Sequence, residues 1–358
     1  MFNILSIMKF NKFYLVSALV GLILLLNACN AEDDKPFDNY SSGVFITNEG
    51  KFSGGTGTVD FYDRSIGGIK NDIFTKENNG ASIGNILQSM GFYKDTAYLV
   101  VNNANKLSLV NYKSFKSITT INGFTLPRYY LNVNATFGYV SDWGANGLTG
   151  SIKVLDHATK TIAKTIITGK GADKMILIGT TVWVVNSGGF GKDSTVSIVS
   201  TVADSVLSTI QVGLGPNSIV QDGNGDIWVL CGGYFDRSES GKLVKIRNNK
   251  VEYSFDVPKS ASALVTDMSK SILYFIANGK IYQKDIANFG ANPPSVFITQ
   301  PYFRVPYSLG IDSKSGYLYC TDAKDYSSEG RLYIFDPQTK VLKDSVKTGI
   351  VPGNIYFF

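Results

Sequence analysis

A repeated strand pattern is the feature of this sequence that most limits its fold. A short apolar strand with an aromatic residue near its start recurs seven times, and Asn or Asp usually follows it. The aromatic residues of the seven copies are Phe45, Tyr98, Tyr139, Trp183, Trp228, Tyr274 and Tyr319. They are separated by 53, 41, 44, 45, 46 and 45 residues. This period is typical of architectures that repeat one four-stranded unit.

The unit around Trp228 contains signals for all four strands. Residues 216–221, 227–231, 242–247 and 251–256 are apolar or alternate apolar with polar residues, as half-buried strands do. The turn DGNGD at 222–226 separates the first two strands. No segment after residue 29 predicts a helix of ten residues, and residues 82–90 are expected to make one helical turn at most.

Seven such units without crossover helices predict an all-β fold. We expect residues 43–358 to form a single seven-bladed β-propeller of four-stranded antiparallel blades, because radial closure leaves only short, protected sheet edges. The copy at Val44 lacks a first strand, whereas residues 353–358 resemble a first strand that no second strand follows. The C-terminal strand is therefore predicted to join the N-terminal blade and close the ring. A β-solenoid would have a shorter repeat, and two sandwiches would not give seven similar periods.

The N-terminus carries a targeting pattern. Lys9 and Lys12 precede residues 13–26, an uncharged apolar run that is too short to span a membrane comfortably. The sequence LNAC at 26–29 resembles the bacterial lipobox, which implies that residues 1–28 are a lipoprotein signal peptide and that Cys29 is lipidated. Acyl chains on one cysteine would give stable membrane anchoring.

Residues 29–42 are predicted to be an acidic, flexible tether. The cluster AEDD at 31–34 resembles the surface-export signal of Bacteroidetes lipoproteins. We therefore expect a protein that is lipid-anchored to the outer membrane and faces the cell exterior. The alternative is a solvated tether without an export role, which leaves surface or periplasmic facing open.

Charge limits the class of partner, and the cysteine positions indicate whether a disulfide forms. The formal net charge is +5, and it falls to +3 without residues 1–28. No Lys/Arg block stands out, so we expect no nucleic-acid partner. Cys231 and Cys320 lie in apolar strand-like runs, which favours two buried free thiols over a disulfide.

Several short motifs resemble YVTN-type, YncE-like seven-bladed propellers, and more narrowly the surface-lipoprotein propellers of Bacteroidetes. They are ITNEG at 46–50, QSM at 88–90, VVNN at 100–103, PRYY at 127–130, GPNS at 215–218, WVLC at 228–231 and PG at 352–353. Some members of that group bind vitamin B12 or ferric siderophores and pass the ligand to a TonB-dependent transporter. These motifs are mostly strand and turn residues, so they indicate the fold group better than the ligand.

On a propeller, the loops between second and third strands converge on one face with the loops between blades, and that face is the default ligand site. Aromatic residues among Asn, Asp and Arg suit a large, partly flat and partly polar ligand. The alternative is that Asn and Asp only form turns and the aromatic residues only pack blades. The candidate ligand-binding residues are Glu49, Phe52, Asn103, Arg128, Asp142, Trp143, Asn186, Phe190, Asn217, Tyr234, Phe235, Arg237, Arg304 and Tyr326.

Catalytic chemistry has little support in the sequence. The only histidine, His157, lies in the predicted turn between a third and a fourth strand, on the outer edge. Glu49, Asn102 and Asp142 could mimic the metal set of propeller hydrolases, but the repeat imposes the same spacing. We therefore expect no catalytic residue, no metal and no cofactor.

These observations lead to one main hypothesis. The protein is a non-catalytic cell-surface lipoprotein that binds a small nutrient, a corrinoid or a ferric siderophore, and hands it to a TonB-dependent outer-membrane transporter. The alternatives are a protein- or glycan-binding scaffold for adhesion or assembly and, with less support, a metal-dependent lactonase- or lyase-like enzyme.

Overall fold

The structure is a computed structural model that describes residues 39–233, 239–288, 293–298 and 302–358. The predicted signal peptide, Cys29 and most of the tether lie outside the described residues. Within them, no helix is long and apolar enough to cross a membrane. Residues Tyr40–Phe358 form one compact unit.

The seven predicted four-stranded antiparallel sheets are all present, and each is ordered from an inner to an outer strand. Blade 1 consists of β1 (Val44–Asn48), β2 (Thr58–Asp63), β3 (Gly68–Lys70) and the inner strand β28 (Pro352–Phe357). Blade 2 consists of β4 (Leu87–Tyr93), β5 (Thr96–Val101), β6 (Lys106–Asn111) and β7 (Ser117–Ile121). Blade 3 consists of β8 (Pro127–Asn132), β9 (Phe137–Asp142), β10 (Ser151–Asp156) and β11 (Thr161–Ile167).

The remaining blades repeat the same order. Blade 4 consists of β12 (Ala172–Ile178), β13 (Thr181–Asn186), β14 (Thr195–Ser200) and β15 (Ser205–Gln211). Blade 5 consists of β16 (Pro216–Gln221), β17 (Ile227–Cys231), β18 (Gly241–Arg247) and β19 (Lys250–Val257). Blade 6 consists of β20 (Ser262–Thr266), β21 (Ile272–Ala277), β22 (Lys280–Asp285) and β23 (Ser295–Val296). Blade 7 consists of β24 (Pro306–Ile311), β25 (Leu318–Asp322), β26 (Glu329–Phe335) and β27 (Leu342–Ile350).

The inner strands define the ring. β4, β8, β12, β16, β20, β24 and β28 each contact the next, and β28 contacts β4, so the cycle is closed. The core lies between neighbouring blades. Trp183 of blade 4, for example, packs in one cluster with Ile219 and Val229 of blade 5. The second strands are buried along their length in most blades, whereas outer strands such as β15 are largely exposed. The fold is therefore the predicted seven-bladed β-propeller.

The ring closes in blade 1 as predicted. β28 pairs antiparallel with β1, and Ile355 lies opposite Ile46. Phe45 is fully buried in this joint, where its ring contacts those of Tyr40, Phe61, Phe92, Phe115 and Phe358. Such edge and offset contacts between rings stabilise beyond the area they bury.

Helices are few among the described residues. α1 (Ile73–Glu77) lies between blades 1 and 2, where the Asp72 side chain accepts a hydrogen bond from the Thr75 backbone N–H at 3.3 Å. One 3-10 turn spans Ala145–Gly147. The expectation of a helical turn within residues 82–90 is wrong. Gly84 and Ile86 have positive φ, which breaks a helix, and β4 begins at Leu87.

The two cysteines are buried free thiols, as predicted. Burial raises the pKa of the Cys231 thiol to about 12, so this thiol stays neutral and packs as a small apolar side chain.

Candidate functional site

An irregularity at the start of every inner strand builds the candidate site. In all seven blades the pairing between the inner and second strands shifts register near its first residues. A β-bulge inserts an extra residue and re-aims its side chain. The residues in these bulges are Gln88, Arg128, Tyr129, Asp173, Lys174, Asn217, Ala263, Leu264, Tyr307 and Gly353.

The bulges surround a cavity of about 240 Å³, called here the channel cavity. All seven inner strands line it, and Glu49 joins them from the loop between β1 and β2. Its lining residues are Glu49, Gln88, Arg128, Tyr129, Asp173, Lys174, Asn217, Ser218, Ser262, Ala263, Tyr307, Ser308, Gly353 and Asn354. Repetition of one bulge around the axis therefore concentrates polar side chains in one small space.

Arg128 is held by three neighbours. Its Nε lies 3.3 Å from Asp173 Oδ2, another guanidinium nitrogen donates to Gln88 Oε1, and the guanidinium carbon lies 4.2 Å from the centre of the Trp143 ring. The side chains of Arg128 and Asp173 are 17% and 7% exposed. The planar cation is thus fixed by charge-assisted hydrogen bonds on its edge and an aromatic face below.

Glu49 also lines the channel cavity, and its carboxyl group is partly removed from water. The Tyr307 hydroxyl donates to Glu49 Oε1 at 3.1 Å. Burial raises the pKa of Glu49 to about 7, although the positive charge of Arg128 and the hydrogen bond from Tyr307 both act to lower it. Glu49 can therefore gain or lose a proton near neutral pH.

Two wider cavities open above the channel cavity, and we call them together the mouth. One, of about 610 Å³, lies over blades 3 to 6, and the other, of about 750 Å³, lies over blades 6 and 7. Asp173, Asn217 and Ser262 line both the first mouth cavity and the channel cavity, and Tyr307 lines both the second and the channel cavity. Both mouth cavities therefore adjoin the channel cavity.

Glycines let the loops of the mouth approach closely. Gly171 has φ +65°, and a Cβ at this position would lie 2.0 Å from the backbone nitrogen of Gly189. The Gly147 carbonyl accepts a hydrogen bond from the Phe190 N–H at 2.9 Å. Phe190 in turn packs edge-on against Trp143, with ring centres 5.5 Å apart. The loops of blades 3 and 4 thereby present an aromatic pair at the edge of the mouth.

Several sequence-predicted residues meet in this region. Glu49 lines the channel cavity, Trp143 lines the mouth, Arg128 and Asn217 lie between them, and Phe190 packs at the edge. Arg304 and Tyr326 line the second mouth cavity, where the Tyr326 ring lies 5.9 Å from that of Tyr307.

Other predicted residues lie elsewhere. Phe52 is 81% exposed on the loop after β1 and lines none of these cavities, and Asn103 donates to Asn85. Asp142 is buried and accepts from the Thr125 and Gly144 N–H groups. Asn186 is buried and donates to Thr195 and Ser197. Asp142 and Asn186, at the ends of β9 and β13, thus serve the fold, because their side chains form hydrogen bonds with groups inside the protein. Tyr234, Phe235 and Arg237 lie outside the described residues.

The candidate set omitted Gln88, Tyr129 and Tyr307, which line the channel cavity. A signal for them exists in the repeat. Gln88 and Tyr307 follow the apolar or proline residue that starts an inner strand, as Asn217 follows Pro216, and Tyr129 lies one position further along its strand. Aligning the seven first strands, rather than the second strands, would have found this ring of positions.

His157 lies in the turn between β10 and β11, as predicted, and it joins blades 2 and 3. Its ring stacks on Tyr93 with centres 3.9 Å apart, and Nε2 lies 2.9 Å from the Tyr130 hydroxyl. Burial lowers the pKa of His157. The contacts of this side chain are those of a packing residue.

The proposed metal-like set does not converge on one centre. Asn102 donates to the Pro127 carbonyl at 3.0 Å, and the Asp142 carboxylate accepts hydrogen bonds from backbone N–H groups. Within the described ranges, no three His, Cys, Asp or Glu side chains are grouped so as to hold a metal ion.

Fold and site together define a seven-bladed β-propeller with a polar channel cavity beneath an open mouth. The family described as "Domain of unknown function (DUF5074)" matches residues 42–349, and this chain belongs to that family. No curated protein matches the sequence.

Solved structures share the fold at low sequence identity. A quinonprotein alcohol dehydrogenase-like protein from Bacteroides thetaiotaomicron is 17% identical with a TM-score of 0.64, over 89% of this chain and 79% of that one. A hypothetical selenium-binding protein from Sulfolobus tokodaii is 10% identical with a TM-score of 0.65, over 89% and 93%. A functionally unknown protein from Desulfotomaculum acetoxidans is 10% identical with a TM-score of 0.64, over 88% and 99%. These likenesses concern the fold alone.

Proposed function

We propose that this protein is a non-catalytic cell-surface lipoprotein that binds a small nutrient ligand of the corrinoid or ferric-siderophore class. The observation that carries the proposal is that the mouth adjoins the channel cavity and shares lining residues with it. Ligand sites are concave, are lined by apolar and aromatic groups, and contain a few placed polar groups. Here Trp143 and Tyr326 supply aromatic surface, while Arg128 and Asn217 supply fixed polar groups.

The dimensions of the mouth are those of a small-molecule site. The two mouth cavities, of about 610 and 750 Å³, fall in the range of small-molecule sites, about 300–1,000 Å³. The channel cavity is too small to hold such a ligand whole, so the ligand would rest in the mouth. The ligand class comes from the resemblance of several short motifs to Bacteroidetes propeller lipoproteins, some of which bind such nutrients.

Handover to a TonB-dependent outer-membrane transporter is the second part of the proposal. Its support is the lipobox-like LNAC ending at Cys29 and the acidic segment that follows. A lipid anchor would confine the protein to the membrane that contains the transporter, which raises the local concentration of the two partners.

Isothermal titration of the full-length protein with cobalamins and ferric siderophores tests ligand binding. We expect one class to bind, and we expect Trp143→Ala to weaken that binding about tenfold or more, since a desolvated Trp is a frequent hot spot. Leu207→Ala, on the outer strand of blade 4, is the matched control and should leave affinity unchanged. Failure of both ligand classes to bind would overturn the ligand assignment.

Purification from membranes tests the partner. Co-purification of a TonB-dependent transporter, strengthened by the bound nutrient, would support handover. Recovery of a polysaccharide or another surface protein, without a transporter, would favour the adhesion or assembly scaffold. Lactone hydrolysis that depends on a divalent metal would favour the enzyme.

A further inference from the structure

Lys174 differs from the other cation of the channel cavity. Arg128 is paired with Asp173 and Gln88. The Lys174 ammonium, by contrast, makes no hydrogen bond or ion pair with any residue the structure describes, and its nearest recorded contact is the Tyr129 ring, at 5.8 Å from the ring centre. Lys174 lines the channel cavity, where an anion from outside could reach it, and a charged acceptor is the partner that an ammonium group binds most strongly.

A hydrogen-bond donor beside Lys174 is also unused. The Tyr129 hydroxyl has no hydrogen-bond partner in the described part of the chain, and burial raises the pKa of Tyr129, so the hydroxyl stays protonated. Tyr129 and Lys174 are adjacent members of the bulge ring and line the same cavity. An ammonium group and a neutral hydroxyl that both lack an acceptor form a donor pair suited to an oxyanion.

The acidic groups of the cavity leave room for a further negative charge. Asp173 is compensated by Arg128 at 3.3 Å and accepts from Ser187 Oγ at 3.4 Å. Glu49 is hydrogen-bonded by Tyr307, and its pKa of about 7 leaves it partly protonated near neutral pH. The cavity thus holds two cationic side chains, Arg128 and Lys174, against Asp173 and a partly protonated Glu49. Burial lowers the pKa of Lys174, and a bound anion would favour its charged form.

We propose that the channel cavity binds an oxyanion group, a carboxylate or a phosphate, between Lys174 and Tyr129. At about 240 Å³ the cavity admits an acidic arm of a ligand whose body lies in the mouth. This inference deepens the proposed function and rests on it for the identity of the ligand body. The anion site itself does not require that identity.

Small anions probe the site directly. Isothermal titration of the full-length protein with benzoate and with inorganic phosphate compares the two oxyanion sources, and benzamide is the neutral analogue of benzoate. We expect at least one anion to bind and benzamide to bind about tenfold more weakly or not at all. Binding of benzoate alone assigns a carboxylate, and binding of phosphate alone assigns a phosphate. Absence of anion binding, or equal binding of benzamide and benzoate, would overturn the proposal.

Variants locate the site. Lys174→Met keeps the length of the side chain and removes its charge, so we expect anion affinity to fall about tenfold or more and the melting temperature to stay level or rise. Lys174→Arg should retain anion binding. Lys160→Met is the matched control, because Lys160 is exposed in the turn between β10 and β11, on the opposite face of the ring. Unchanged affinity in Lys174→Met, or equal losses in Lys174→Met and Lys160→Met, would refute the assignment.

The outcomes separate this inference from the proposed function. If cobalamins and ferric siderophores fail to bind but Lys174→Met abolishes anion binding, the anion site stands and the nutrient class is wrong. If a nutrient binds wild type and Lys174→Met equally well and no anion binds, the nutrient proposal stands and the anion site is wrong.

Discussion

The joint that closes the ring and the channel cavity bury polar groups in opposite ways. In the joint, Arg64 Nε lies 3.0 Å from the fully buried Asp312 carboxylate, and Arg64 Nη1 donates to the Phe358 backbone oxygen at 2.7 Å. Arg64 and Asp312 are thus paired with each other, although Arg64 Nη2 makes no hydrogen bond with a described residue. In the channel cavity, Lys174 and the Tyr129 hydroxyl line open space without a hydrogen-bond partner among the described residues. Charges that are paired inside the protein contribute to the fold, whereas polar groups that line a cavity remain available to a ligand. The joint is therefore built for stability and the cavity for binding.

Among the tests of this comparison, a substitution in the joint is expected to change the free energy of unfolding most. Phe45 is fully buried among five aromatic rings, so Phe45→Ala leaves a cavity and should lower the free energy of unfolding by about 3–5 kcal/mol. Urea denaturation measures the change. Phe52→Ala is the matched control, because Phe52 is 81% exposed and its removal should change stability by less than about 0.5 kcal/mol. Similar losses in both variants would show that the joint does not carry this share of stability.

A second variant tests whether the two ion pairs have different roles. Arg64→Met leaves the Asp312 charge buried and unpaired, so we expect a loss of about 3 kcal/mol in unfolding free energy with ligand affinity unchanged. Adding Asp312→Asn should recover part of that loss, since it removes the unpaired charge. Arg128→Met should instead weaken ligand binding. Loss of ligand binding in Arg64→Met, at a temperature where it remains folded, would contradict the division of roles.

Titration of Glu49 should make stability depend on pH, with an effect smaller than that of the joint variants and larger than that of the Arg304 variant. Burial raises the pKa of Glu49 from 4.5 to about 7, so the folded state holds this proton more tightly than the unfolded state. Protonated Glu49 therefore contributes on the order of 1–3 kcal/mol to the free energy of unfolding. This contribution is fully present below about pH 4.5 and is lost as the pH rises through 7.

Urea unfolding at several pH values between 5 and 8 measures that slope, and Glu49→Gln is the comparison. The amide cannot ionise, so the contribution of this position should become independent of pH. An identical slope in wild type and Glu49→Gln would mean that Glu49 titrates as an exposed glutamate does.

The sequence predicted the fold well and the site only in part, for one physical reason. Aromatic residues such as Trp228 recur because each blade buries the same second strand, so the period revealed seven blades and the closing strand. Site residues do not share a residue type. Gln88, Asp173 and Tyr307 occupy equivalent positions in different blades, and only the bulge geometry unites them.

Burial also separated residues that look alike in sequence. Asp142 and Asn186 end their second strands, yet both are buried: Asp142 accepts from the Thr125 N–H of a neighbouring loop, and Asn186 donates to Thr195 of the adjacent strand. Lys174 lies in one of the loops between blades that the sequence places on the ligand face, but it was not among the candidate ligand-binding residues. Its lack of a partner is visible only when the seven inner strands are assembled around it.

The smallest stability effect is expected at the edge of the mouth, at Arg304. Its side chain is 71% exposed, and Nη1 lies 3.8 Å from Asp325 Oδ2, so this ion pair should contribute less than about 0.5 kcal/mol to folding. Arg304→Ala should therefore keep the wild-type urea midpoint while reducing affinity for an acidic ligand, since Arg304 lines the second mouth cavity. Arg304→Lys, which keeps the charge, is the control. A shifted urea midpoint in Arg304→Ala would mean that the ion pair with Asp325 does contribute to folding. Unchanged affinity in Arg304→Ala, for a ligand that Lys174→Met no longer binds, would restrict recognition to the channel cavity and the blade 3 to 6 side of the mouth.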